Sequence, residues 1–247
     1  MPIKIGIIGK TNTGKTTFFN SATLSSAEIS TYPFTTKKPE SAAANAITLC
    51  VHPEFNVKDN PKNSRCVDGW RYIPIELIDL PGLIKDAWQG KGLGNQFLSV
   101  AAQPDALLHV VDVSGGIDSS GKITEAGSGD PISDFADIEE ELTMWYLKIL
   151  EGNRDKVSKN IRSGIEKIIA IADLYRGIGV SNSHVKEALR VAEVEDKEFD
   201  DIGIRESKKF ATVLRKISKP TIIVANKIDV DGADKNFARL KIGRAHV

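Results

Sequence analysis

Gly9-Lys10-Thr11-Asn12-Thr13-Gly14-Lys15-Thr16 decides the fold, because this octapeptide fits G-x-x-x-x-G-K-[ST] and stands between segments of opposite character. Before it, Ile3-Lys4-Ile5-Gly6-Ile7-Ile8 is a β-branched run; after it, Lys15 to Ala22 reads as the start of a helix. Strand, glycine loop and helix in that order make a phosphate cradle. Backbone N–H groups line the loop, the glycines permit positive φ and close approach, and the helix N-terminus adds partial positive charge. Lys15 is expected to reach the β- and γ-phosphates as a catalytic cation, and the Thr16 hydroxyl to ligate Mg²⁺. Gly9, Asn12, Thr13, Gly14 and Thr17 complete the expected nucleotide contacts on this side. At average residue usage the bare pattern arises by chance in roughly one chain of this length in a hundred.

Further along, Asp79-Leu80-Pro81-Gly82 closes the alternating run Ile73 to Asp79 and would set a carboxylate beside the loop to position Mg²⁺ through water. D-x-x-G alone is common, so the weight lies in its position. The Gly82 N–H is expected to sense the γ-phosphate, with the glycine-bearing stretch Leu83 to Gly94 ordering on contact. Thr35 and Thr36, in Tyr32-Pro33-Phe34-Thr35-Thr36, lie where a γ-phosphate-sensing hydroxyl should sit; sequence geometry does not choose between them. Leu83 occupies the place where many GTPases carry a water-orienting glutamine, which predicts slow intrinsic hydrolysis or help from a cation or partner.

Asn226-Lys227-Ile228-Asp229 follows the apolar run Thr221 to Ala225. The Asp229 carboxylate can accept from the N1–H and exocyclic amine of guanine, donors that adenine does not offer, and a buried carboxylate left without them costs about 1–3 kcal/mol or more. Asn226 is expected to brace the phosphate loop, and the Lys227 stem to cover the ring face. The chain order is thus phosphate loop, metal carboxylate, base reader.

These motifs sit on strands: Ala42 to Val51 is a second candidate, and Ala106 to Val113, like Thr221 to Ala225, is apolar enough to be covered on both faces. The fold class is α/β, a P-loop NTPase G domain with a mostly parallel sheet and an inserted helical subdomain. Residues 1–117 with 219–241 form the G domain, 118–218 the helical insertion, and 242–247 a tail foreign to the rest, which suggests an incomplete C-terminal end. Within the insertion, Ser133 and Asp134 can cap a helix with the stripe Ile138, Leu142, Trp145 and Ile149. A second stripe runs Ile161, Ile165, Ile168, Ala172, Tyr175, a third Val185, Leu189, Ala192, and a fourth Phe210, Val213, Leu214, Ile217. The turn-rich Gly115 to Asp130 reads as a linker.

The 247 residues carry 33 basic and 33 acidic side chains, so net charge argues for neither a nucleic-acid nor a membrane-surface partner. No apolar run approaches the roughly 20 residues that span a bilayer, and the expected location is the cytoplasm. Cys50 and Cys66 read as reduced bystanders outside any metal cluster, and His52, His109, His184 and His246 as residues without ligand or triad partners.

On Gly9 to Thr16, Tyr32 to Thr36, Asp79 to Leu83, Gly90-Lys91-Gly92-Leu93-Gly94-Asn95-Gln96-Phe97-Leu98 and His109-Val110-Val111-Asp112, the chain resembles the Obg-related translation-associated GTPases, most closely their archaeal YchF-like branch. The resemblance implies a GTPase switch linked to the ribosome, favours Thr36 over Thr35 for the metal and γ-phosphate, and makes Asn12 a ligand for K⁺ near the phosphates. Thr11 departs from a usual proline. YchF proteins that prefer ATP lack N-K-x-D, which this chain keeps. An RNA-contacting C-terminal domain expected of the family is not in the sequence, so contact with RNA stays open. Two alternatives stand beside the GTPase: an ATP-preferring YchF-type NTPase, and a nucleotide-regulated binding module with little catalysis.

Overall fold

The computed structural model describes residues 2–23, 39–82, 88 and 100–243, with residues 242 and 243 described by their backbone alone. Strands β1 (Ile3–Ile8), β2 (Glu40–Leu49), β3 (Arg65–Val67), β4 (Trp70–Asp79), β5 (Ala106–Asp112) and β6 (Thr221–Asn226) form one sheet in the order β2-β4-β1-β5-β6, with β3 also on β4. β1 pairs in parallel with β4 and β5, and β5 with β6, whereas β2 and β3 run antiparallel to β4. The registers align Ile7 with Asp79, and Asp112 with Asn226, so the C-terminal ends of four parallel strands share one edge of the sheet. Open α/β sheets bind ligands at such an edge.

Helix α1 (Lys15–Thr23) leaves the octapeptide and buries Phe19 against Ile7, Leu77 and Val110. The other face of the sheet carries α2 (Pro131–Gly152), α3 (Arg154–Arg162), α4 (Lys167–Tyr175), α5 (Asn182–Val191) and α6 (Ile204–Ser218); α7 (Ala233–Gly243) covers Val113. Ile8, Leu80 and Leu107 belong to the same buried cluster as Tyr146, Tyr175, Leu189 and Phe210, so the helices of 118–218 share a core with the strands. Trp145 is 8% exposed and meets Tyr146 edge-on; its stripe is helix–helix core.

Several local expectations need correction. Asp130, not Ser133 or Asp134, caps α2: its carboxylate accepts from Ile132 N at 3.2 Å, and Pro131 takes the first helical position, where a missing N–H costs nothing. The stripe through Ile165 is broken, because Gly164 at φ 96° turns the chain between α3 and α4. Thr221 to Ala225 is not covered on both faces: β6 is an edge strand among the described residues, and Ile222 is 64% exposed. The second strand is Glu40–Leu49, ending before Cys50. Finally, Cys50 and Cys66 are not isolated, nor is His52: with Asp59 they form one cluster whose ligand atoms lie within 4.8 Å of one another. Tyr32 to Thr36, Leu83, Gly90 to Leu98 and His246 lie outside the described residues.

Candidate functional site

The octapeptide bends over the end of β1 because two glycines allow what a side chain would forbid. Gly9 has φ 147°, and a Cβ there would stand 2.3 Å from Val110 O; Gly14 has φ 94°, and a Cβ would stand 2.2 Å from Asn226 Nδ2. Asn12 adopts φ 65°, a conformation asparagine tolerates. Inside the bend, Lys15 Nζ donates to Lys10 O at 2.7 Å and Thr13 Oγ1 donates to the same carbonyl at 3.0 Å. Lys15 is buried, and desolvation lowers its pKa from 10.5 to about 8 against the opposing pull of Asp79. An ammonium held this dry is poised for an anion. Thr17 is exposed on the outer side of α1.

At the end of β4, Asp79 is 1% exposed and its Oδ2 accepts from Thr16 Oγ1 at 2.6 Å. Its Oδ1 is buried without a hydrogen-bond partner among the described residues. Burial raises the Asp79 pKa above the usual carboxylate value, and Thr16 and Lys15 pull against it. A hydroxyl and a carboxylate side by side, one carboxylate oxygen orphaned, fit the hard oxygen set of Mg²⁺. Gly82 follows Asp79 and packs on the loop; a Cβ there would come 2.7 Å from Thr11 Oγ1.

The third motif closes the cradle. Asn226 Nδ2 donates to Thr13 O at 2.8 Å, and Lys227, at φ 61°, donates its Nζ to Asn12 O at 3.2 Å and to Asp112 Oδ2 at 2.7 Å. Asp229 is exposed at the turn beyond them. The chain thus brings Gly9, Asn12, Thr13, Gly14, Lys15, Thr16, Asp79, Gly82, Asn226 and Lys227 to one edge, while Thr36 is outside the described residues.

Two partners of the site have no role assigned from the sequence, although Asp112 closes the block His109 to Asp112. Asp112, 2% exposed, anchors Lys227 and accepts from Ser114 N at 3.0 Å. Gly115 to Asp130, expected as a linker, folds onto the cradle: Gly121 O accepts from Asn12 Nδ2 at 2.9 Å. Asp112 ends an apolar strand beside the loop, a position that could have marked it; nothing in the composition of 115–130 signals its contact.

A family model described as 50S ribosome-binding GTPase matches residues 4–136. The chain belongs to this family. It is 41% identical over 241 residues to an uncharacterized GTP-binding protein of Methanocaldococcus jannaschii, covering 96% of this chain and 59% of that protein. It is 30% identical to the ribosome-binding ATPase YchF of Bacillus subtilis, covering 98% and 62%. The crystal structure of a GTP-binding protein from Pyrococcus horikoshii superposes with TM-score 0.77 at 30% identity over 98% of this chain and 62% of that one. The chain therefore spans about three fifths of the length of the curated relatives it matches, and its fold is that of a P-loop GTPase.

Proposed function

We propose that the chain binds GTP at residues 9–16 and 226–229 and hydrolyses it to GDP and phosphate, acting as a switch. The observation that carries this reading is the 2.8 Å bond from Asn226 to Thr13, which ties the base-reading turn to the phosphate loop across 213 residues of sequence. With the loop fixed under Asn226, the Asp229 carboxylate is left to meet the edge of a guanine. Lys15 balances the β- and γ-phosphates, the loop N–H groups accompany it, and the Gly82 N–H meets the γ-phosphate. Thr16 and Asp79 hold Mg²⁺, with Thr36 as a further ligand; when bound, the ion neutralises charge on the phosphate oxygens. Asn12 supports a K⁺ beside the phosphates, where the chain has no water-orienting glutamine.

The name of the Bacillus subtilis relative supports the ribosome as partner, and a ribosome partner fits a cytoplasmic location. No helix among the described residues is long and apolar enough to cross a membrane. The same name favours a second reading, ATP as substrate. Against it stands Asp229: where guanine offers its N1–H and 2-amine to the carboxylate, adenine presents an unprotonated N1 and a C–H. Phosphate release from GTP, followed with and without Mg²⁺ and K⁺, tests the proposal. Turnover is expected to need Mg²⁺, rise with K⁺ and vanish in Lys15→Ala; turnover unchanged in Lys15→Ala would reject the site.

A further inference from the structure

Away from the cradle, where β2 ends and β3 begins, Cys50, His52, Asp59 and Cys66 bring one thiol, one imidazole nitrogen, one carboxylate oxygen and a second thiol within 4.8 Å of one another. We propose that these four residues bind a single Zn²⁺ in a closed, structural site.

The sheet register builds it. Residues Leu49 and Trp70 pair across β2 and β4, and Cys66 pairs with Arg71 across β3 and β4, so β4 gathers the ends of two strands that are separate in sequence. Cys50 N donates to Gly69 O at 2.8 Å, which holds the first thiol beside the β3–β4 turn. The loop between the strands folds back through Val57 N to His52 O at 3.2 Å and carries Asp59 to the same spot. His52 Nδ1 stands 3.7 Å from Cys66 Sγ. With Zn–S bonds of about 2.3 Å, ligands at the corners of a tetrahedron lie about 3.8 Å apart, so the cluster needs only a small contraction.

The charges and the surrounding hydrogen bonds match. Arg71 donates to Cys50 Sγ at 3.0 Å, to Ser64 Oγ at 2.9 Å and to Asp59 Oδ1. That leaves Asp59 Oδ2 buried without a hydrogen-bond partner among the described residues, a second oxygen with an unmet demand. Two thiolates and a carboxylate on Zn²⁺ leave one negative charge, and Arg71 cancels it, the role that outer-shell groups play at metal centres. Two sulfurs and an imidazole select a softer metal than the all-oxygen set at Thr16 and Asp79.

The loop has a reason to need such a staple. Val51, Phe55 and Val57 are 59%, 70% and 56% exposed, so residues 51–65 have little apolar core of their own. A tetrahedral metal with four protein ligands supplies that missing cohesion and leaves no open position for chemistry.

The test uses the full chain, prepared without chelator and reduced. Metal analysis is expected to find about one zinc per chain, and replacement by Co²⁺ to give thiolate-to-cobalt charge transfer with the intense visible bands of a tetrahedral site. Cys50→Ser with Cys66→Ser is expected to remove both signals. Arg71→Met is expected to weaken zinc affinity by roughly 10–100-fold, and Asp59→Asn, which keeps the shape but takes a charged ligand away, by at least as much, while GTP affinity stays unchanged. Absence of zinc uptake and of the cobalt bands in the wild-type chain would overturn the proposal. So would metal retained by the double cysteine variant, or a Cys50–Cys66 disulfide whose reduced form takes up no zinc.

Discussion

Lys10 Nζ lies 2.5 Å from Asp134 Oδ1, with the two side chains 8% and 14% exposed, so the phosphate loop is fastened by a buried ion pair to the first turn of α2. Breaking such a pair on one side strands a buried charge and costs about 3–5 kcal/mol, whereas replacing both partners by apolar residues is close to neutral. Asp134→Ala is therefore expected to lower the urea midpoint sharply, and Lys10→Met with Asp134→Leu to recover most of it. A single variant as stable as the wild type would show that the pair does not hold the loop.

Lys15 gives the site a pH dependence. Its pKa falls from 10.5 in the unfolded chain to about 8 in the fold. A depressed pKa contributes stability above the unfolded value and loses it as pH drops through the folded one; near neutrality the buried ammonium costs about 3 kcal/mol. A bound triphosphate would relieve that cost by pairing with the charge. Nucleotide affinity is expected to hold below about pH 8 and to weaken with rising pH above it, as the unliganded lysine loses its proton. Lys15→Ala should lower affinity by about 2 kcal/mol or more and flatten the profile. Titration calorimetry across this range checks both.

Asp79 has the opposite chemistry and a related outcome. Burial raises its pKa, outweighing Thr16 and Lys15. A raised carboxyl pKa contributes stability that is fully present below the unfolded carboxylate pKa and is lost as pH climbs through the folded value. Once ionised, the buried side chain is a net cost that Mg²⁺ would offset. Without nucleotide, Asp79→Asn is expected to be at least as stable as the wild type; with GTP, adding Mg²⁺ should no longer raise its melting temperature. A destabilised variant that keeps its Mg²⁺ response would contradict this.

Thr11 stands where relatives are expected to carry proline, buried between Gly82 and Gly121 with its Oγ1 lacking a partner among the described residues. Removing a buried hydroxyl that lacks a partner relieves about 1 kcal/mol. Thr11→Val should raise thermal stability without weakening nucleotide binding, as a paired melting and affinity measurement would show.

The cradle was readable in the sequence because each of its parts is local. Gly9 and Gly14 need positive φ wherever they stand, and Asp79 and Asn226 each follow an apolar strand whose parallel pairing brings its end to the same edge. What depended on distant contact was not readable. Gly121 meets Asn12 through the fold of a glycine-rich loop, and Cys50 meets Cys66 because β4 pairs with both of their strands. Periodicity likewise carried the second stripe through Ile165, where backbone geometry at Gly164 breaks the helix. Asp130 was passed over as a cap because Ser133 and Asp134 carry the same chemistry three and four positions later.

The most direct measurement titrates the wild-type chain and Asp229→Asn with GTP, ATP and xanthosine triphosphate, whose base carries a carbonyl in place of the guanine amine. The wild type is expected to bind GTP at least tenfold more tightly than ATP. The variant should lose that margin and gain affinity for the xanthine nucleotide, to which an asparagine amide can donate. Equal binding of GTP and ATP, or GTP affinity untouched in the variant, would contradict a purine read at residues 226–229.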